Sequence, residues 1–137
     1  MQVAKGVRLF ATYCSAEKES SSKELPAIER YLSQRIRGLK AMADESGGLF
    51  GILSGRFGLI AAEHAIPYYD HLMGEDEVDG WIGEVSATLR EWGVSEVRWF
   101  SVAFEVDPNV RRYHAVMAGA AAAVGAEFVW EVWGGGL

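Results

Sequence analysis

The chain has 137 residues and a net charge of −6, and half of its residues are hydrophobic. That length fits one domain with one core, and the hydrophobic share excludes a disordered chain. An acidic balance excludes tight nonspecific binding of duplex DNA, which rests on neutralising phosphates.

Val7 to Cys14 is short and rich in β-formers, which predicts a first strand, followed by a polar, serine-rich loop over Ser15 to Lys23. Leu25 to Glu45 carries apolar residues at Ile28, Tyr31, Leu32, Ile36, Leu39 and Met42. That spacing predicts an amphipathic helix, opened by Pro26 in its first turn and ended by Ser46-Gly47-Gly48. Leu49 to Leu53 is a continuous apolar run, as in a strand covered on both faces. Ser54 to Met73 is irregular. Gly74 to Gly93 predicts a second helix, with acidic Glu75, Asp76, Glu77 and Asp79 in its first turn, where the helix dipole favours them. Glu96 to Phe104 is a third strand. Pro108 to Val124 is a third helix with Asp107 as N-cap, and Glu127 to Trp133 a fourth strand before a loose glycine tail over 134–137. The βαβαβαβ order predicts a single α/β domain over 1–137, three αβα layers around a mostly parallel four-stranded sheet.

Cys14 is the only cysteine, which rules out an intrachain disulfide and suits a reducing compartment. No apolar run approaches the ~20 residues of a membrane span. Met1 to Arg8 lacks the basic-then-apolar pattern of a secretory leader. The expectation is a soluble cytoplasmic protein with no membrane partner. The charge is uneven. Residues 1–60 hold 9 Lys+Arg against 6 Asp+Glu, and residues 61–137 hold 4 against 13. A local basic face on the first half is therefore open to an anionic or nucleobase-like ligand.

In open parallel sheets, ligands bind beyond the carboxyl ends of the strands, where the strand order switches direction. That rule collects three loops: Tyr13 to Lys18, Ser54 to Asp70, and Phe104 to Asp107. Arg56 stands between Gly55 and Gly58 at the end of a strand. It reads as a phosphate or carboxylate clamp, or else as a surface ion pair that orders the loop. Ser54 binds a ligand or caps a turn. Gly55 and Gly58 permit close backbone approach or supply positive φ. Tyr68 and Tyr69 stack on a base, or one is core and the other a lid. Asp70 orients a water or forms an Asx turn. Cys14 is an activated thiol or a half-buried structural cysteine, and Lys18 reaches an anion or is solvated. His64 and His71, seven residues apart, match no metal-ligand spacing, so neither a metal nor a cofactor is expected. His114, within a helix, reads as structural. Trp130 and Trp133 read as core or as a dimer surface.

The chain also resembles a known family. Cys14-Ser15 with Lys18, Pro26-Ala27 with Tyr31-Leu32-Ser33, Ile52-Leu53-Ser54-Gly55-Arg56-Phe57-Gly58-Leu59, and Pro67-Tyr68-Tyr69-Asp70 are similar to blocks of the DUF6884 group. These are small bacterial and phage proteins, distantly similar to the YaaA peroxide-stress proteins. The specific part of the resemblance covers residues 10–73. Gly55 stands where the family has alanine, Arg56 where it has lysine, and Lys18 is the one lysine near Cys14. The resemblance implies a compact α/β domain related to the uracil-DNA-glycosylase-like architecture and a role in nucleic-acid or modified-base metabolism.

Three functions compete. The first is a nucleotide or modified-nucleobase binder acting on an N-glycosidic bond, with Asp70 or Glu63 as general base. The second is a noncatalytic ligand or nucleic-acid binder using a helix patch of Arg30, Arg35, Arg37 and Lys40. The third is an interaction protein that forms a homodimer through its last, tryptophan-bearing strand.

Overall fold

A computed structural model describes residues 6–134. The ends of the sequence, including most of the glycine tail, lie outside the described residues. A five-stranded sheet runs through the centre in the order β4-β3-β1-β6-β7. Its strands are β1 (Val7–Tyr13), β3 (Leu49–Ser54), β4 (Gly58–Ile60), β6 (Val94–Ser101) and β7 (Glu127–Val132). β1 pairs in parallel with both β3 and β6, and β6 with β7. The expected α/β class and mostly parallel sheet are present, with five strands in place of four. The fifth, β4, returns antiparallel against β3 through a tight hairpin. It is three residues long, too short for alternation to mark it in the sequence.

β1 shows why the sheet is covered on both sides. Its odd residues Leu9, Ala11 and Tyr13 enter one core with Val97 and Trp99 of β6 and with helices α3 (Val78–Trp92) and α4 (Val110–Val124). Phe10 enters the opposite core with Phe50, Ile52, Phe100 and helix α2 (Gln34–Ser46). The period-2 alternation of the strand thus sorts its side chains into two helical layers. α2, α3 and α4 each end on a glycine in the left-handed region, at Gly47, Gly93 and Gly125.

The long helix expected over 25–45 is broken. Leu25–Pro26 is a short strand β2, paired antiparallel with β5 (Ala65–Ile66), and α1 covers only Ala27–Arg30. Tyr31 then turns extended, and Ser33 restarts the helix as N-cap, its hydroxyl accepting the N–H of Ile36 at 3.2 Å. The cause is Arg30, which is fully buried. Its guanidinium donates to four backbone carbonyls: Glu19, Lys23, Ser21 at 3.0 Å and Ile66 at 3.3 Å. β6 ends at Ser101 rather than Phe104, which leaves 102–109 as a loop at the sheet edge. Asp107 is not the N-cap expected of it: α4 starts at Val110 with Asn109 as N-cap and no side-chain cap, and the Asp107 Oδ1 instead accepts the N–H of Asn109 at 3.1 Å in the preceding turn. Among the described residues no helix is long and apolar enough to cross a membrane.

Candidate functional site

From β1 the chain crosses over one face of the sheet through α2 to β3. From β6 it crosses the other face through α4 to β7. The loops leaving β1 and β6 therefore diverge, and a cleft opens between them at the switch in strand order. Its volume is about 580 Å³, within the range of small-molecule sites. Its floor is Tyr13, Cys14, Arg35 and Tyr113, and its rim is formed by Ser15 to Lys18, Asp70 to Leu72, and Val106 to Asn109.

Arg35 is the principal charge of the floor, and only 3% of it is exposed. It lies on α2 in line with Leu39 and Ala43, at helical spacing on the buried face. Its guanidinium lies flat against the ring of Tyr13, 3.7 Å from the centroid. It donates to the Thr12 hydroxyl, to the Tyr13 carbonyl at 2.8 Å and to the Cys14 carbonyl at 3.3 Å. Its Nε is buried with no hydrogen-bond partner, and it forms no ion pair among the described residues. Burial draws its pKa below the ordinary value. The Asp107 carboxylate favours the charge from a distance, but burial is the larger effect, so the cation is only partly compensated.

Lys18 adds a second cation. It is half-buried, 4.6 Å from the ring centroid of Tyr69, and donates to the Ala16 carbonyl at 3.5 Å. It too has no ion pair among the described residues. Asp70, Asp107 and Glu17 are the carboxylates of the rim, and His71 is tied to Glu77 at 2.8 Å.

The tyrosines below the rim form a hydroxyl network. Tyr69 meets the hydroxyls of Tyr31 and, at 2.9 Å, of Ser54. Ser54 Oγ also accepts the N–H groups of Arg56 at 3.1 Å and Phe57 at 3.0 Å. Tyr113 accepts the N–H of Met73 at 3.1 Å, and the Cys14 thiol points at its hydroxyl from 3.8 Å. Burial first, and the neighbouring Cys14 second, push the phenols of Tyr31, Tyr69 and Tyr113 well above their ordinary range. They stay neutral.

Of the residues singled out in the sequence, Cys14, Ser15, Lys18 and Asp70 come together on the cleft. Ser54 and Tyr69 lie buried beneath it and tie the β3 turn to the loop carrying Asp70. The two glycines divide the two readings between them. Gly58 takes φ +76 and closes the hairpin under Trp81, whereas Gly55 packs against Tyr113 and Met73. Arg56, Glu63 and Tyr68 are exposed and do not line the cleft, and no ion pair holds Arg56 among the described residues. The proposed basic helix patch does not form as such. Arg30 and Arg35 are buried, and Lys40 is paired with Asp44 at 2.6 Å. Arg35 and Tyr113 were the residues the motifs missed. The i, i+4, i+8 alignment of Arg35 with Leu39 and Ala43 was the available signal. No group of three or more potential metal-ligating residues occurs among the described residues. No family model, curated protein or solved structure matches the chain.

Proposed function

We propose that the cleft between the β1 and β6 loops binds a small anionic ligand of the nucleotide or modified-nucleobase class. One observation carries this reading. Arg35 is a buried cation on the floor of a cleft at the switch point, with Asp107 near enough to act on its charge but no carboxylate in an ion pair with it among the described residues. A phosphate or carboxylate entering beside it and Lys18 supplies the missing counter-charge in a partly dehydrated setting, where such a contact counts most. The nucleotide class is the expectation that the sequence resemblance implies, and no family model adds to it.

The reaction we assign to it, on the sequence resemblance, is hydrolysis of an N-glycosidic bond. Asp70 is the residue we assign to hold the attacking water, because Glu63 lies outside the cleft. The test is a thermal-shift panel of nucleoside monophosphates, nucleosides, nucleobases and inorganic phosphate. Wild type is stabilised by a phosphate-bearing member, since binding to the native state raises Tm. Lys18→Met loses that shift and Arg56→Ala keeps it. Asp70→Asn keeps binding and loses turnover. A panel without any shift, or a shift lost in Arg56→Ala alone, overturns the assignment.

A further inference from the structure

The sheet has two edges, and they differ. At one edge β4 is three residues long, buried, and covered by Trp81 over Gly58. At the other, β7 presents six residues with no strand beyond them among the described residues. Its backbone direction follows from one bond. Trp133 donates its N–H to the Ser101 carbonyl at 2.7 Å, so the odd-numbered peptide groups turn toward β6. By alternation, Phe128, Trp130 and Val132 turn theirs outward. The same three side chains share the α4 face. Phe128 packs on the core, Trp130 stacks on Phe104 with centroids 4.8 Å apart, and Trp130 and Val132 remain 40% and 55% exposed. An open edge with an apolar row beside it is a pairing surface.

We propose that β7 pairs antiparallel with β7 of a second copy of this chain, on a two-fold axis at Trp130. The strand complements itself in that register. The outward peptide groups then meet as hydrogen-bonded pairs, Trp130 with its own copy and Phe128 with Val132 of the second copy. Their side chains form one continuous apolar row. On the other face, Val129 lies opposite Glu131 of the second copy, and Glu127 falls past the end of the opposing strand. Two neighbouring registers carry a charge conflict. An axis at Val129 sets Glu127 against Glu131 twice, and an axis at Glu131 sets that carboxylate against itself. Of the registers free of such a conflict, the one at Trp130 pairs the most of β7, because an axis at Phe128 overlaps only residues 127–129.

The experiment is sedimentation equilibrium of the full chain as wild type, Val129→Glu and Val129→Lys. Val129 is half-buried and faces away from the apolar row, so both variants place a charge at the same exposed-side position. Wild type forms a reversible dimer. Val129→Glu faces Glu131 in both copies and weakens association by about tenfold or more. Val129→Lys faces the same carboxylate with opposite charge and associates at least as tightly as wild type. A wild type that stays monomeric at every concentration overturns the proposal, as does a Val129→Glu variant that dimerises like wild type. Equal weakening by both substitutions overturns the register at Trp130.

Discussion

Replacing Gly55 with alanine tests how the β3 turn supports the cleft. Gly55 has no positive φ, so a side chain is not strained by its backbone. The conflict is one of space. A Cβ there would stand 2.9 Å from the Tyr113 hydroxyl, 3.0 Å from the Met73 nitrogen and 3.3 Å from the Met73 Cβ. The first two atoms are hydrogen-bonded to each other at 3.1 Å, so the methyl group would wedge into that bond. One neighbour is backbone, and the other is the end of a ring that is only 3% exposed, so neither yields readily. Leaving the buried Met73 N–H unpaired costs about 1–3 kcal/mol. Overpacking adds about 1–3 kcal/mol. The smaller conformational freedom of alanine in the unfolded chain returns only about 0.4–1 kcal/mol. The net is a destabilisation of about 1–5 kcal/mol. Urea unfolding followed by tryptophan fluorescence measures it. A Gly55→Ala protein as stable as wild type, or more stable, refutes the reasoning, because the loss of chain entropy is then the dominant effect and the contact with Tyr113 is not tight.

Three further outcomes follow from the same contacts. Arg30→Met keeps the bulk but leaves the four carbonyls of Glu19, Ser21, Lys23 and Ile66 without their donor. It should cost roughly 3 kcal/mol or more in denaturant unfolding and raise the proteolysis of the 19–23 loop. Tyr69→Phe removes the hydroxyl shared by Tyr31 and Ser54, and should cost about 1–2 kcal/mol while leaving the hairpin turn capped by Ser54. His114 has a buried Nδ1 without a partner, and burial lowers its pKa in the folded state. The unfolded chain therefore takes up its proton first. Stability is complete above the ordinary histidine value of about 6.5 and falls as pH drops from there toward the lower folded value. His114→Phe should flatten a plot of unfolding free energy against pH in that window, and an unchanged slope would contradict the assignment.

The elements that sequence pattern predicts well are those whose burial is regular. β1 and β3 follow from short runs of β-formers and apolar residues, and α3 and α4 from their start signals and glycine stops. What the pattern obscured was set by single polar residues with long-range partners. Arg30 and Arg35 count as solvated charges when read locally, yet each is buried because it satisfies backbone oxygens of loops distant in sequence. The break at Tyr31 depends on the same cause. In the Ser54–Gly58 and Tyr68–Asp70 motifs, the sequence shows that the backbone is constrained but not toward what. The structure turns Ser54, Gly55 and Tyr69 inward as supports, and brings Cys14, Ser15, Lys18 and Asp70 to the cleft. Tyr113 was invisible as a site residue because a tyrosine in an alanine-rich helix reads as core, and its place on the cleft floor comes from the packing of α4 beside the β1 loop.

The most direct test of the account is an amide NMR titration of the full chain with a nucleoside monophosphate that gives a thermal shift. The account predicts saturable shifts for amides over 14–18 and 106–110, which border the cleft, and none beyond background for the exposed Arg56 turn. Perturbations centred on residues 55–58, with the 14–18 loop silent, would place the ligand at the hairpin instead and contradict the claim that Arg35 and Lys18 receive it.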